Sequence, residues 1–396
     1  MTSSATHRPR LITRRSLLTG ALAAAGAGAL ASCGTADTAP AAGGASGASS
    51  SGGLRPVKLQ LQWFKQAQFA GYLAALDQGY YEAEGLDVTI VDGGTDIVPQ
   101  TVLAQGQVDY AIAWVPKALA SREQGAGITD VAQVFQRSGT RQVSFASAGI
   151  RGVEDLRGKT VGNWGFGNEF ELFAAMTKAG LDPATDVTLV QQQFDMNAFI
   201  AGDIAAAQAM TYNEYAQVLE AKNPATGQLF QPGDLTTLDW NEVGTAMLQD
   251  AIWANTEKLS DSAYAEQTTA FVKASLKGWV FARDNPEKAR DITVAAGSTL
   301  GASHQLWQVN EVNKLIWPSP SAGVGSFDTA LWAQTVQVAL QTKNADGATV
   351  ITKDPGPDAY TDEHVTAALE ALKGEGVDVV GSSFAPVTVT LTEGGA

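Results

Sequence analysis

The sequence predicts an α/β protein built as two hinged lobes with a ligand cleft between them. Three observations carry that expectation. The chain has 396 residues, more than one ordinary hydrophobic core accommodates, and its 45% hydrophobic and 17% charged content are globular values. From Val57 onward, strand and helix signals alternate at short intervals, the βαβ rhythm of a mostly parallel sheet. That rhythm pauses near residue 145, restarts, and ends in an extended return segment, Thr245–Asn255, so the chain leaves one α/β unit, builds a second and comes back. Two crossover strands make a hinge, and capture by closure is a recurrent use of hinged lobes.

In order, strands are expected at 57–63, 87–92, 109–114 and 130–136. Helices between them are expected at Phe69–Gln78, Ile97–Gln105 and Pro116–Gln124, with Pro116 suited to a first helical turn that needs no N–H. The stretch 142–150 leads into 151–165, where the second series begins. It continues with a helix at Glu169–Lys178, a strand at 186–192, a helix near Met196–Ala201, a strand at 205–210 and a helix at Glu214–Ala221. After the return come amphipathic helices at Ala263–Arg283, Pro286–Ala295, Ser303–Leu315, Asp328–Gln341 and Asp362–Leu372. Lobe 1 is therefore assigned to 57–145 and 246–376, lobe 2 to 146–245, and 377–396 is left as a C-terminal tail with no assigned role.

The N-terminal segment reads as a targeting signal rather than part of the fold. Arg8, Arg10, Arg14 and Arg15 precede the apolar run Leu17–Leu30, which is too short to span about 30 Å of hydrocarbon. "TRRSLLTG" (13–20) resembles a twin-arginine export signal, and "LASC" (30–33) a lipobox that would place a diacyl anchor on Cys33, the only cysteine. Residues 1–32 then form the signal and 33–56 a small, polar tether unable to bury a core. Taking those four Arg from 26 basic residues leaves 22 against 41 acidic ones, a net charge of −19. Such a charge argues against nucleic acid, whose phosphates require clustered Lys and Arg. The expected location is the outer face of the cytoplasmic membrane, held by lipid alone.

Polar groups beyond the carboxyl ends of strands in both lobes face such a cleft. Here those ends read "QWFKQAQF", "VDGGTD", "AWVPK", "NWGFGNE", "QQQFDMN" and "AMTYNE". Trp63, Trp114 and Trp164 each close a predicted strand, where an aromatic face can stack on a planar ring. The six other tryptophans read as core. Gln66, Gln68 and Phe69 follow the first of the three, and Asn168 and Glu169 the third. Glu169 repels an anion and suits the amino groups of a heterocycle, although Asn168 or Asn163 could equally cap the next helix. Catalytic patterns are missing. Two of the three histidines lie on predicted helices without metal spacing, and no GxSxG, acid dyad or P-loop is present. No metal or cofactor is expected.

Four stretches resemble one family: "QWFKQAQFAGYLAALDQGYYEAEGLDVTI", "PQTVLAQGQVDYAIA", "GVEDLRGKTVG" and "FVKASLKGWVFARDNPEKA". They are similar to the NMT1/THI5-like substrate-binding proteins of ABC importers, over roughly Val57–Leu372. "QRSGTRQ" and "GNWGFGNEFEL" place the chain nearer the thiamine-pyrimidine and riboflavin-type binders than the sulfonate binders. The resemblance implies the type II periplasmic-binding-protein fold. It also implies a monomer that delivers its ligand to a permease and that permease's ATPase. The loops "FDMN" and "MTYNE" should border the cleft, which adds Asp195, Tyr212 and Glu214 as candidate ligand contacts beside the capping roles they could also fill. A sister branch is a pyrimidine synthase that uses pyridoxal phosphate. It carries a Lys where this chain has Ala113 and a cysteine-rich run where this chain has none, so an enzyme is not expected. The expected ligand is a hydroxymethylpyrimidine-type thiamine precursor, with riboflavin next. A sulfonate, nitrate or taurine comes third, because only Lys65, Lys117, Arg137 and Arg141 are near enough to meet an anion.

Overall fold

Two five-stranded sheets carry the structure, a computed structural model that describes residues 53–396. The leader, the Cys33 lipobox and nearly all of the tether lie outside the described residues. In the first sheet the strands are β1 (Arg55–Gln60), β2 (Leu86–Val91), β3 (Tyr110–Trp114) and β4 (Ile128–Gln133). The second sheet contains β5 (Thr140–Phe145), β6 (Thr160–Asn163), β7 (Thr188–Gln191), β8 (Ala206–Met210) and β9 (Leu235–Asp239). Strand β10 (Asp250–Asn255) returns to the first, giving the orders β2-β1-β3-β10-β4 and β7-β6-β8-β5-β9.

Each sheet is parallel except for one strand. β10 runs antiparallel between β3 and β4, and β5 runs antiparallel between β8 and β9. In both cases the reversed strand is the one that has just arrived from the other lobe. Flanked on both sides, it anchors its crossover in the sheet interior. β5 already belongs to the second sheet, so the first crossing is residues 134–139; the second is 244–249. The two crossings are bonded to each other. Buried Gln249 accepts from the Gly139 N–H at 2.8 Å and donates to Ser138 Oγ at 3.1 Å and Thr140 Oγ1 at 2.7 Å.

Burial follows the sequence pattern. β3 and β4 are almost wholly buried, as strands covered on both faces must be, whereas β2 at the edge alternates buried and exposed residues. The helix Ala70–Asp77 packs on Ser262–Asp284 through two glycines. A Cβ on Gly71 would fall 2.2 Å from the Trp279 ring, and one on Gly278 would fall 2.0 Å from the Gly71 carbonyl oxygen. Only bare backbones let these helices approach that closely. Among the described residues no helix is long and apolar enough to cross a membrane.

The tail adds no strand to either sheet. Val379 and Val380 fasten its start to the first lobe through Val324 N–H and Ser319 N–H. Further on, Val387 N–H donates to Asn310 Oδ1 and Thr392 bonds Ser303, both on the helix Ala302–Ile316. Its last residues reach the second lobe: Leu391 packs there, Glu393 pairs with Lys222 at 2.6 Å, and Gly394 N–H meets the Glu220 carbonyl. Residues 377–396 thus form a strap from one lobe to the other.

Candidate ligand cleft

Between the sheets lies a cleft of about 1140 Å³, lined by residues from both lobes. The first lobe contributes Trp63, Gln66 and Gln68 after β1, and Trp114 and Lys117 after β3. The second contributes Trp164, Asn168 and Glu169 after β6, and Tyr212 and Glu214 after β8. All of these stand where strands end, as the βα rhythm requires.

Two expected contacts are placed elsewhere. Phe69 is fully buried in the core under the first sheet, because the short helical turn Ala67–Phe69 rotates it away from the cleft. Asp195 accepts the Asn197 N–H at 2.8 Å and so caps the following turn without lining the cleft.

Aromatic rings meet across the cleft. Phe194 from the second lobe lies 5.1 Å from Trp63 of the first, centroid to centroid, and 6.0 Å from Trp164 in a near-parallel stack. Trp164 is 3% exposed, yet its indole N–H has no hydrogen-bond partner. The Gln100 side-chain oxygen Oε1, buried in the wall of the same cleft, is also unpartnered. A buried donor or acceptor left without a partner costs about 1–3 kcal/mol. Both atoms are enclosed within the cleft wall and do not open onto its space.

Sequence reasoning passed over the carboxylate that organises the first-lobe wall. Asp250, at the start of β10, accepts from Gln62 Nε2 at 2.6 Å, Trp114 Nε1 at 2.7 Å and Gln68 Nε2 at 3.0 Å. Gln68 Oε1 in turn accepts from Gln66 Nε2 at 2.9 Å, which extends the chain of amides along the wall. Burial pushes the Asp250 carboxyl up to about 7, against the downward pull of its three donors. The available signal was an acid opening an otherwise apolar strand, "DAIWAN".

On the second lobe several candidates spend their polar atoms locally. Glu214 accepts from Met210 N–H and Asn213 Nδ2, both at 2.9 Å, and burial raises its pKa. Asn168 Nδ2 donates to the Gly165 carbonyl at 2.7 Å, and Glu169 Oε2 accepts from Gly167 N–H at 2.9 Å. Among the cations weighed for an anion, only Lys117 lines the cleft. Burial lowers it to about 8, with Glu169 pulling the other way. Lys65 pairs with Asp92 and Arg141 with Asp239, while Arg137 donates to the Pro318 carbonyl.

A sequence profile of the family described as NMT1/THI5 like matches residues 66–289. The formylaminopyrimidine-binding protein of Halalkalibacterium halodurans is 25% identical over 73% of this chain and 86% of its own. The riboflavin-binding protein RibY of Chloroflexus aurantiacus is 29% identical over 71% of this chain and 79% of its own. A shorter match, 27% identical over 33% of this chain and 38% of the other, is to the 4-amino-5-hydroxymethyl-2-methylpyrimidine phosphate synthase of Schizosaccharomyces pombe. In fold, the chain is similar to the periplasmic aliphatic sulphonate binding protein SsuA of Escherichia coli, with a TM-score of 0.54 at 14% identity over 86% of this chain and 94% of that one. That similarity establishes the two-lobed periplasmic-binding architecture.

Proposed function

The chain belongs to the NMT1/THI5-like family, and from that premise we propose that it is the extracytoplasmic solute-binding component of an ABC importer, capturing a small planar nitrogen heterocycle between its lobes. The observation that carries this reading is the aromatic contact across the cleft, Trp63 on one lobe and Trp164 with Phe194 on the other. A flat ring inserted there would part Trp63 from Phe194, now 5.1 Å apart, and exchange their one contact for two, a net gain of about 0.5–1.5 kcal/mol beyond area burial.

Charge separates the ligand classes. Glu169 and Glu214 line the cleft against a single cation, Lys117, which favours a neutral or basic ligand over a sulfonate or nitrate. An aminopyrimidine of the thiamine-precursor type is the first choice, in keeping with the relative named for formylaminopyrimidine binding. Riboflavin is the second, in keeping with the relative named for riboflavin binding. The reading as a binding protein and not a synthase rests on the two longer relatives and on Ala113, which stands where the synthase branch carries its lysine. Export, the Cys33 anchor, delivery to a permease and the monomeric state belong to the same proposal.

Calorimetry with hydroxymethyl-aminopyrimidine, thiamine, riboflavin and taurine tests it. Binding of the first or third is expected. Binding of taurine alone would overturn the reading.

A further inference from the structure

The loop Trp164–Asn168 places a bulky residue where packing gives no reason for one. Gly165, Phe166 and Gly167 have φ values of +68°, +53° and +86°, three consecutive left-handed residues. Phe166 is the one non-glycine residue with positive φ among the described residues. A bulky side chain is disfavoured in that region, and glycine would occupy it without strain. Nor does the ring repay its placement by burial, for Phe166 is 81% exposed. It lines the cleft all the same.

Neighbouring side chains hold the loop in this conformation. Asn163 Oδ1 accepts from Gly165 N–H at 2.8 Å, Asn168 Nδ2 donates to the Gly165 carbonyl at 2.7 Å, and Glu169 Oε2 accepts from Gly167 N–H at 2.9 Å. Strained residues persist where the surroundings over-determine them, and they concentrate at ligand clamps and switches. The motif "NWGFGNE" thus spends three polar side chains on presenting one phenyl ring at the cleft.

We propose that Phe166 is the aromatic lid of the cleft, a specificity-determining residue that covers the bound ring once the ligand is in place. The proposal rests on the heterocycle reading above. The ring is exposed on a strained backbone. With ligand, the same ring buries its face, so affinity draws on a residue that the empty fold does not need.

The test pairs stability with affinity in wild type, Phe166→Gly and Phe166→Leu. Phe166→Gly relieves the left-handed strain, so its ligand-free melting temperature should equal or exceed that of wild type. Its Kd for whichever of hydroxymethyl-aminopyrimidine or riboflavin the wild type binds should rise about tenfold or more. Phe166→Leu should retain part of that loss, because it keeps apolar area without an aromatic face. Equal affinity of wild type and Phe166→Gly would overturn the lid while leaving the cleft reading intact. Failure of wild type to bind either compound would overturn both. A melting temperature lowered in Phe166→Gly would also overturn the lid, since the ring would then serve the fold.

Discussion

The indole N–H of Trp114 donates to Asp250 across 2.7 Å, joining the end of β3 to the start of the antiparallel strand that returns from the other lobe. The cleft wall and the hinge therefore share one carboxylate. Asp250→Asn keeps the shape and one acceptor oxygen, so the fold should survive. Gln62, Gln68 and Trp114 would then compete for that oxygen, and ligand affinity should fall about tenfold by calorimetry. Asp250→Ala leaves three donors around a small void and should cost about 2–4 kcal/mol in denaturant unfolding.

Stability should depend on pH in an unusual direction. Burial raises Asp250 and the hinge carboxyl Glu171, which accepts the Met247 N–H, both to about 7. Unfolded, they titrate near pH 4. Between about pH 4 and 7 these two groups keep protons in the native state that the unfolded chain has released, so their contribution is lost as pH rises through that window and is level above it, while lowered His364 and Lys117 act in the opposite sense, Lys117 only above about pH 8. Glu123, Asp155, Glu375 and Asp378 have lowered pKa values and withdraw stability only as pH falls below about 4. Urea midpoints should therefore be higher at pH 5 than at pH 7.5. Asp250→Asn and Glu171→Gln should each flatten the profile.

The two tryptophan walls should separate by mutation. Trp164→Phe keeps an aromatic face but shrinks a core side chain that is 3% exposed, so the melting temperature should fall modestly. Ligand affinity should drop by roughly two- to tenfold, as the smaller ring offers less stacking face. Half-buried Trp63 should behave differently: Trp63→Ala should cost little stability and reduce affinity by about a hundredfold. Unchanged affinity in Trp63→Ala would remove it from the site.

Removing residues 385–396 should leave both sheets folded and the lobes freer to separate. The truncation deletes the bonds to Asn310 and Ser303, the Lys222–Glu393 pair and the Leu391 contact. Small-angle scattering should show a larger radius of gyration in the ligand-free protein. An unchanged radius would mean that Gln249, the crossovers and the bonds of His304 and Trp307 to the second lobe set the opening.

Much of this architecture was legible in the sequence because it is local. Alternating β and α signals located most strands to within a few residues, and the return segment betrayed the second crossing. Strand-end aromatics were readable because a parallel α/β sheet leaves few places for such residues except the core or the cleft. What escaped notice depends on long-range pairing. Asp250 looked like the first residue of an apolar strand, and only the antiparallel insertion beside β3 brings it under Trp114 and Gln68. Phe69 failed for a local reason, a single short helical turn that changed the facing of one ring. His304, without motif or metal spacing in sequence, proves to bond Glu220 and Asn213 of the other lobe at 2.9 and 3.0 Å.

The strap has a consequence for how such a protein could be tuned. The apparent dissociation constant equals the intrinsic one divided by the fraction of molecules already in the competent arrangement. Residues 385–396 line no part of the cleft, yet they tie together the two bodies whose separation sets that fraction. Substitutions there would slide the working concentration range up or down while leaving the ranking of ligands untouched. Selectivity is written in the strand ends, and sensitivity can be adjusted at the far end of the chain.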